Sequence, residues 1–427
     1  MARARRVDWS VVALLASVFF SSSAALAQEV VLGKLVYDLT GRELDLGLLG
    51  LAEFAPAALL VLVTGAVADR FDRRRVAALG ALGEAVVAGV LAWYVSTDPT
   101  SIGPIFLLVI AFGVARAFAA PASRSLPADI VSPERLPRVV PRYAAAWQAA
   151  IIAGPVLGGF LYAADVRLPF VAVMALLVAS AAALLSIRVA PMRAPAAVVM
   201  DPALEAAVAP AVPHGQAVAE AERPGWRDAL EGLRFIRGRP LLLGAISLDL
   251  FAVLFGGAVA LLPAIAEDRL HVGAVGLGWL RAAGGIGAAL TTVALAVRPV
   301  TRKVGRRLLA AVAVFGVATI VLGLTRSFVL AFAALAVLSG ADAISVFIRA
   351  TLVPLVTPQE KRGRVLAVEN VFIGASNELG AFESGVVGQL LGPAAAVVLG
   401  GAGTLAVAAG WWFLFPDLRQ VDGFPTT

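Results

Sequence analysis

Ionisable side chains inside long apolar runs are the residues of this sequence best suited to do chemistry. A charged group at the centre of a membrane costs roughly 2.5–3.5 kcal/mol on insertion scales, so each one needs a partner or a task. Carboxylates and arginines at that depth can exchange protons or bind charged small molecules. The candidates for proton coupling or for a substrate cavity are Asp249, Glu29, Glu53, Glu84, Arg116, Arg281, Glu378 and Glu383.

Asp249 is the leading candidate for a proton carrier. It follows Leu241, the start of its apolar run, by eight residues, and a rise of 1.5 Å per residue places it about 12 Å into the membrane. Arg281 can instead simply pair with a carboxylate between helices, and Glu378 or Glu383 can bond neighbouring helices. Four residues nearer the cytoplasmic ends of their runs are predicted gate or bundle contacts: Asp342, Arg349, Arg364 and Glu369.

The composition is that of a polytopic membrane protein. Hydrophobic residues make up 60% and charged residues 15% of the chain, and the mean hydropathy is +0.89, which is more apolar surface than a soluble core can bury. The net charge of +6 comes largely from arginines in short loops, which favours membrane orientation over nucleic-acid binding. Cysteine is absent, and His214 and His271 lie in a linker and a loop, so no metal site, cofactor or catalytic residue is expected.

Apolar runs of roughly 20 residues predict twelve transmembrane helices. The first run resembles a secretory signal, but its apolar character resumes after Glu29, which favours an uncleaved first helix. The predicted spans are Val11–Leu35, Leu46–Ala68, Val76–Val95, Ile102–Ala122, Val139–Ala163, Leu168–Val189, Leu241–Ala266, Val275–Val297, Leu308–Leu324, Phe328–Leu352, Val365–Leu391 and Pro393–Phe415.

A change of composition divides these helices into two sets of six. Residues 190–239 are rich in Pro, Ala, Glu and Arg and hold no run long enough to cross a membrane, although Trp226–Arg237 has the spacing of a short helix on the membrane surface. The predicted organisation is an N-terminal six-helix bundle (1–189), a linker (190–239) and a C-terminal six-helix bundle with its tail (240–427). The fold class is therefore an all-α polytopic membrane protein.

The two halves also carry traces of an internal duplication. A shift of 229 positions aligns the second span and its basic loop with the eighth, and a shift of 225 positions aligns the end of the fourth span with the end of the tenth. Two nearly equal shifts at separate places indicate parallel repeats of six helices. The aligned pairs include Arg73 with Arg302, Arg124 with Arg349, Ser132 with Thr357 and Pro133 with Pro358.

Positive charge marks one set of loops. Basic residues are dense at the start of the chain and in the connections that follow even-numbered spans, and they are sparse in the opposite loops. Because cytoplasmic loops carry an excess of Lys and Arg, both termini are predicted to be cytoplasmic. The dense groups include Arg3, Arg5 and Arg6; Arg70 and Arg73–Arg75; Arg302, Lys303, Arg306 and Arg307; and Lys361, Arg362 and Arg364.

The loop after the second span, GAVADRFDRRR (65–75), has a glycine, an Asp-Arg pair and paired basic residues at set spacings: Gly65, Asp69, Arg70, Arg73 and Arg74. This spacing resembles the corresponding loop of major facilitator superfamily transporters, with Asp72 in place of a second glycine. The resemblance implies a conformational-switch loop in which Asp69 faces the start of the eleventh helix, where the helix dipole favours an anion.

Further residues extend the resemblance. Gly154, Pro155, Gly158 and Gly159 resemble the later part of a motif of proton-coupled exporters, although close helix packing also explains them. Arg116 stands where the superfamily often has a buried arginine. The stretches Leu241–Ala288 and Arg362–Gly385 resemble the bacterial branch that includes the enterobactin exporter and related drug and metabolite efflux proteins.

The resemblance implies a secondary transporter with the major facilitator fold. The expected protein is a monomeric, proton-coupled antiporter in the bacterial inner membrane that exports a siderophore-like metabolite or a drug by alternating access. Its expected partners are a small-molecule substrate, protons and the lipid bilayer, and no enzyme activity is expected. Two alternatives remain on the same scaffold: a broad drug or lipid transporter, and a non-transporting membrane sensor.

Overall fold

The computed structural model describes residues 2–131, 135–187 and 226–425, which are helical and contain no strand. The chain forms two compact units: the described residues of Met1–Val199 with Ala266–Ala282, and those of Met200–Ile265 with Ala283–Thr427. The predicted all-α fold is confirmed. The linker prediction for residues 190–225, His214 and the Ser132 and Pro133 pairs lie outside the described residues.

The first unit contains six long helices. Prolines at the first turns of three of them suit the helix N-terminus, where the missing N–H costs no hydrogen bond. α1 packs against α5 and α6, α3 packs against α4 and α6, and α2 packs against α4. The helices are α1 (Ala2–Thr40), α2 (Glu43–Arg70), α3 (Arg73–Val95), α4 (Gly103–Ile130), α5 (Leu136–Ala164) and α6 (Leu168–Ser186).

The second unit repeats this pairing. Its first long helix, α8, packs against α12 and α13, and α10 packs against α11 and α13. The amphipathic helix α7 packs against α8 and α12 through the buried Ile236. The helices of the second half are α7 (Trp226–Arg237), α8 (Pro240–Phe255), α9 (Gly273–Val297), α10 (Val304–Leu324), α11 (Phe328–Val356), α12 (Gln359–Leu391), α13 (Pro393–Leu414) and α14 (Pro416–Gln420).

One segment that follows α8 in the sequence packs with the first unit. Residues Ala266–Ala282, which include the first part of α9, belong to the first unit. Polar contacts explain this, because Glu267, Asp268 and Arg281 all bind side chains of α1.

The seventh predicted span, Leu241–Ala266, is not one continuous helix. After α8 the backbone changes to a 3-10 helix (Gly257–Leu261), a short α-helical turn and a π-helical turn (Ile265–Arg269). Gly257 lies so close to the carbonyl oxygen of Gly380 that a Cβ atom there would clash with α12. The break therefore lies where two backbones approach each other.

Eleven helices in the described part of the chain are long and apolar enough to cross a membrane. The predicted span Val365–Leu391 forms part of α12, which is long enough at 33 residues but is not among them. Three glutamates and two asparagines lower the hydropathy of the predicted span Val365–Leu391. The structure is that of a multi-pass membrane protein with one markedly polar long helix.

Candidate functional site

Three charged side chains of the second unit form a buried triad. Arg349 on α11 donates to Asp249 on α8, with 2.6 Å between Nη2 and Oδ1, and to Glu369 on α12, with 3.4 Å between Nη1 and Oε1. The side chains of Arg349, Asp249 and Glu369 are only 4%, 6% and 8% exposed. When all three are ionised, one cation faces two anions, so the triad carries one negative charge in excess.

A small cavity adjoins the triad. Asp249 lines it from α8, Asp342 and Ser345 line it from α11, and Phe315 of α10 contributes to its largely apolar wall. Asp342, Ser345 and Arg349 lie three to four residues apart, which places them on one face of α11. The cavity therefore has two carboxylates in its lining: Asp249, which belongs to the triad, and Asp342, which does not.

The first unit holds a more open charged network. Arg281 Nη1 lies 2.8 Å from Glu29 Oε1, and Arg116 Nη1 lies 4.0 Å from Glu53 Oε1. These four side chains are between 16% and 44% exposed. Glu84 on α3 is buried and lies within electrostatic range of Arg116 and Glu53. The network therefore joins the five predicted cavity residues that belong to this unit.

A second polar cluster of the first unit was missed by the sequence reasoning. The buried Lys34 of α1 pairs with Asp38 and lies 3.1 Å from Glu267 Oε2. The hydroxyl of Tyr162 donates to Asp38 over 2.7 Å, and Tyr37 donates to Asp268. The spacing of Lys34 and Asp38, four residues apart at the end of an apolar run, was the available signal.

The predicted switch loop is held together locally. Arg73 binds Asp129 of α4 over 3.2 Å, and Arg74 binds Asp72 and the carbonyl oxygen of Ile187. Asp72 also caps α3 by accepting from the backbone N–H of Arg74, and the hydrogen bond from the Arg74 side chain holds the pKa of Asp72 below its usual value.

Asp72, which stands where the family has its second glycine, is therefore the N-cap residue of α3. Gly65 has open space around it, and Arg70 is exposed. The side chain of Asp69 lies outside the described part of the structure, so its predicted contact stays a prediction.

The glycine motif of α5 packs tightly. A Cβ atom at Gly154 would meet the backbone of Ser23, and one at Gly159 would meet the carbonyl oxygen of Ala274. Gly158 approaches Ala27 in the same way, and Pro155 lies in the helix interior. Close helix packing therefore accounts for these residues.

The predicted gate residues separate into two places. Arg349 and Glu369 join Asp249 in the triad, whereas Arg364 Nη1 binds Glu231 of α7 over 2.8 Å. Glu383 lies 3.5 Å from the hydroxyl of its neighbour Ser384, and Glu378 lies on the same helix. Among the described residues, no group of three or more His, Cys, Asp and Glu side chains is arranged to hold a metal ion.

The long apolar helices and the charged side chains between them are those of a multi-pass membrane protein. The family model of the Major Facilitator Superfamily matches residues 10–341, so the chain belongs to this family. A comparison with curated protein sequences gives no significant match.

Several solved transporters share the fold. A bacterial homolog of the human lysosomal transporter Spinster, inward-facing and occupied, has a TM-score of 0.69 at 16% identity and covers 99% of each chain. The nucleoside transporter NupG has a TM-score of 0.68 at 14% identity, covering 95% of this chain and 99% of its own. An auto-inhibited POT family peptide transporter has a TM-score of 0.65 at 15% identity and covers 99% of both chains. The family and these folds indicate a transporter and not an enzyme.

Proposed function

We propose that this protein is a proton-coupled secondary transporter that exports a small polar molecule across a bacterial inner membrane by alternating access. The observation that carries the proposal is the dry triad of Asp249, Arg349 and Glu369. Charge inside a membrane protein is retained at a cost, and proton transfer is one of the tasks that justifies it.

The charge balance of the triad favours proton coupling. Arg349 compensates one carboxylate, and the other carries an excess negative charge that a proton neutralises. Asp249 is the proton carrier in this scheme because it lies both in the triad and at the adjoining cavity. Arg349 then passes from Asp249 to Glu369 when Asp249 is protonated.

The proposal names the coupling ion, a proton, but it assigns the cargo only to a broad class of molecules. The solved relatives include a nucleoside transporter and a peptide transporter, which supports a polar small molecule but no particular one. A siderophore-like metabolite is the first candidate by resemblance, and a drug or lipid is the second. Transport of either cargo class uses the same triad. In this proposal the protein acts as a monomer and both of its termini are cytoplasmic.

Proton coupling can be measured before the cargo is known. The full-length protein is reconstituted into proteoliposomes on a solid-supported membrane, and the charge displaced by a step in external pH is recorded. We expect a displacement in the wild type and its loss in Asp249→Asn, since asparagine still accepts from Arg349 but binds no proton. Asp417→Asn, which changes an exposed carboxylate of α14, is the matched control and should behave as the wild type.

A displacement that persists in Asp249→Asn would overturn the assignment of Asp249. Untargeted mass spectrometry then addresses the cargo, by comparing intracellular and secreted metabolites under iron limitation in strains with the wild type, with Asp249→Asn and without the protein. Iron chelators trapped inside the latter two strains support siderophore export. Unchanged chelator pools reject that cargo and leave drug or lipid transport as the leading class.

A further inference from the structure

Arg124 of the first unit is the structural counterpart of Arg349. α4 begins at Gly103 and α11 begins at Phe328, and each arginine follows the first residue of its helix by 21 positions. α4 packs against α3 as α11 packs against α10. The shift of 225 positions found in the sequence is therefore also the offset of the two helices.

The partners of Arg349 have no acidic counterpart in the first unit. The same shift of 225 positions places the three acidic residues at the triad and its cavity on alanines: Asp249 on Ala24, Asp342 on Ala117 and Glu369 on Ala144. The whole of α5, the counterpart of α12, contains no aspartate or glutamate. One repeat therefore has an arginine with its own acids, and the other has kept only the arginine.

The geometry around Arg124 agrees with this loss. Among the described side chains, no carboxylate forms an ion pair or hydrogen bond with Arg124. Tyr143 of α5 packs against the apolar cluster that includes Ala122 and Leu126, the residues two positions on either side of Arg124. Among the described residues, Tyr143 and the second cation Arg116 are close enough to Arg124 to interact with it electrostatically. Arg124 and Tyr143 are half-buried, so water compensates the guanidinium only in part. An unpaired cation in such a position is costly and favours an anion.

We propose that Arg124 and Tyr143 bind an anionic oxygen group, a carboxylate or a phosphate, of the transported molecule. A guanidinium offers two parallel N–H donors to such a group, and a tyrosine hydroxyl adds a third donor. The cargo then supplies the charge that Asp249 and Glu369 supply to Arg349. This inference rests on the proposed function and narrows its cargo to organic anions and to zwitterions with an anionic end.

Binding of two probes of opposite charge tests the proposal. The melting temperature of the full-length protein in detergent is followed with increasing benzoate or benzylammonium, which share a ring and differ in charge. We expect benzoate alone to raise it, and Arg124→Gln to weaken the apparent affinity for benzoate about tenfold or more, as loss of a charged hydrogen bond implies. Arg124→Lys should retain part of the affinity, and Arg326→Gln, an exposed loop arginine, should retain all of it.

Ala144→Glu provides a second variant that does not remove the arginine. It restores a carboxylate at the counterpart of Glu369, so we expect a protein that is at least as stable and no longer responds to benzoate. An unchanged response to benzoate in both Arg124→Gln and Ala144→Glu would overturn the proposal. A second result would also overturn it: Arg124→Gln loses the response to benzoate, and a variant that also carries Asp69→Asn or Glu134→Gln regains it. An internal acid would then be the partner of Arg124.

Two further arms distinguish the source of the anion. Inorganic phosphate replaces benzoate in the first, and nanodiscs of phosphatidylcholine with or without phosphatidylglycerol replace detergent in the second. Stabilisation by phosphatidylglycerol alone, dependent on Arg124, would assign the site to a lipid headgroup and overturn its role in cargo binding. These measurements require no proton gradient, so a failure of Asp249 coupling and a failure of anion binding are separate results.

Discussion

The charged groups of the two units differ in how much water reaches them. In the second unit the triad of Asp249, Arg349 and Glu369 is almost dry, and a single arginine serves two acids. In the first unit the pairs of Arg281 with Glu29 and of Arg116 with Glu53 remain partly exposed. Two halves with the same helix pairing therefore hold these ion pairs in environments of different exposure.

Exposure determines what each set can do. Ions that water still reaches can exchange a protein partner for a ligand at modest cost, which suits a surface that meets cargo. Ions removed from water hold each other strongly, and they rearrange only when their charge changes. The comparison predicts that substitutions in the triad act on folding and coupling together, whereas those in the open network act on transport and little on folding.

The largest effect is expected from Arg349→Leu. This change leaves Asp249 and Glu369 buried beside each other without a cation, and breaking a buried ion pair costs roughly 3–5 kcal/mol. We expect a strongly lowered melting temperature and low yield of the purified protein. The measurement is thermal unfolding of the protein in detergent.

A variant that also carries Asp249→Asn and Glu369→Gln separates charge from shape. It removes both anions with the cation, so we expect most of the lost stability to return while proton-driven charge displacement stays absent. If the triple variant is as unstable as Arg349→Leu, packing of the arginine side chain and not its charge holds α8, α11 and α12 together.

The fold was largely predictable from the sequence because long apolar runs and basic loops mark a membrane protein at every helix. Eleven predicted spans correspond to helices that are apolar enough to cross a membrane. Two departures have local physical causes: the eleventh span is too polar to be counted, and the seventh span is not one continuous helix. α12 carries four glutamates among its polar residues, and α8 ends where Gly257 meets the backbone of Gly380. Hydropathy does not predict which helix faces line a polar cavity, and it does not predict where two backbones come into contact.

The site was predictable in its members but not in its pairings. Depth along an apolar run singled out Asp249, whereas Arg349 and Glu369 were predicted as a separate gate because they lie nearer the ends of their own runs. The structure brings Asp249 of α8 together with Arg349 and Glu369, which lie on the consecutive helices α11 and α12. The shift between repeats had already paired Arg124 with Arg349. Only the ion pairs showed that Arg349 has acidic partners and that Arg124 has none among the side chains that the structure describes.

Lys34 provides a check within the first unit. It is as buried as the triad, but its partners Asp38 and Glu267 are 32% and 46% exposed. Lys34→Met should cost about 1–3 kcal/mol, less than Arg349→Leu, because water compensates the carboxylates that remain. Thermal unfolding of both variants in the same detergent makes the comparison. An equal loss would show that burial of the cation alone sets the cost.

Arg281→Gln should have a smaller effect on stability. Its partner Glu29 is well exposed, and pairs of this kind contribute about 0–1 kcal/mol. We expect a melting temperature close to that of the wild type together with altered export in the metabolite comparison described above. A destabilisation as large as that of Arg349→Leu would contradict the distinction between the open network and the dry triad.

Asp72 of the switch loop extends the comparison to a carboxylate outside the membrane-spanning helices, with a side chain that is 35% exposed. Its pKa is lowered mainly by the hydrogen bond from the Arg74 side chain, against an opposing effect of burial. A carboxyl group with a lowered folded-state pKa contributes stability that is fully present above its unfolded value of about 3.9 and is lost as the pH falls through the folded-state pKa. Asp72→Asn removes this contribution and keeps the helix cap.

The expected difference between the wild type and Asp72→Asn is therefore small at pH 7 and is lost as the pH falls below about 3.9 through the lowered folded-state pKa of Asp72. Melting temperatures of both proteins over this range make the measurement, with high salt as a further arm because screening weakens exposed pairs. A difference that grows as the pH falls would reverse the sign and exclude the Arg74 contact as its cause. A difference at pH 7 comparable with that of Lys34→Met would show that exposure does not rank these ion pairs, and the contrast between the two units would then need another physical basis.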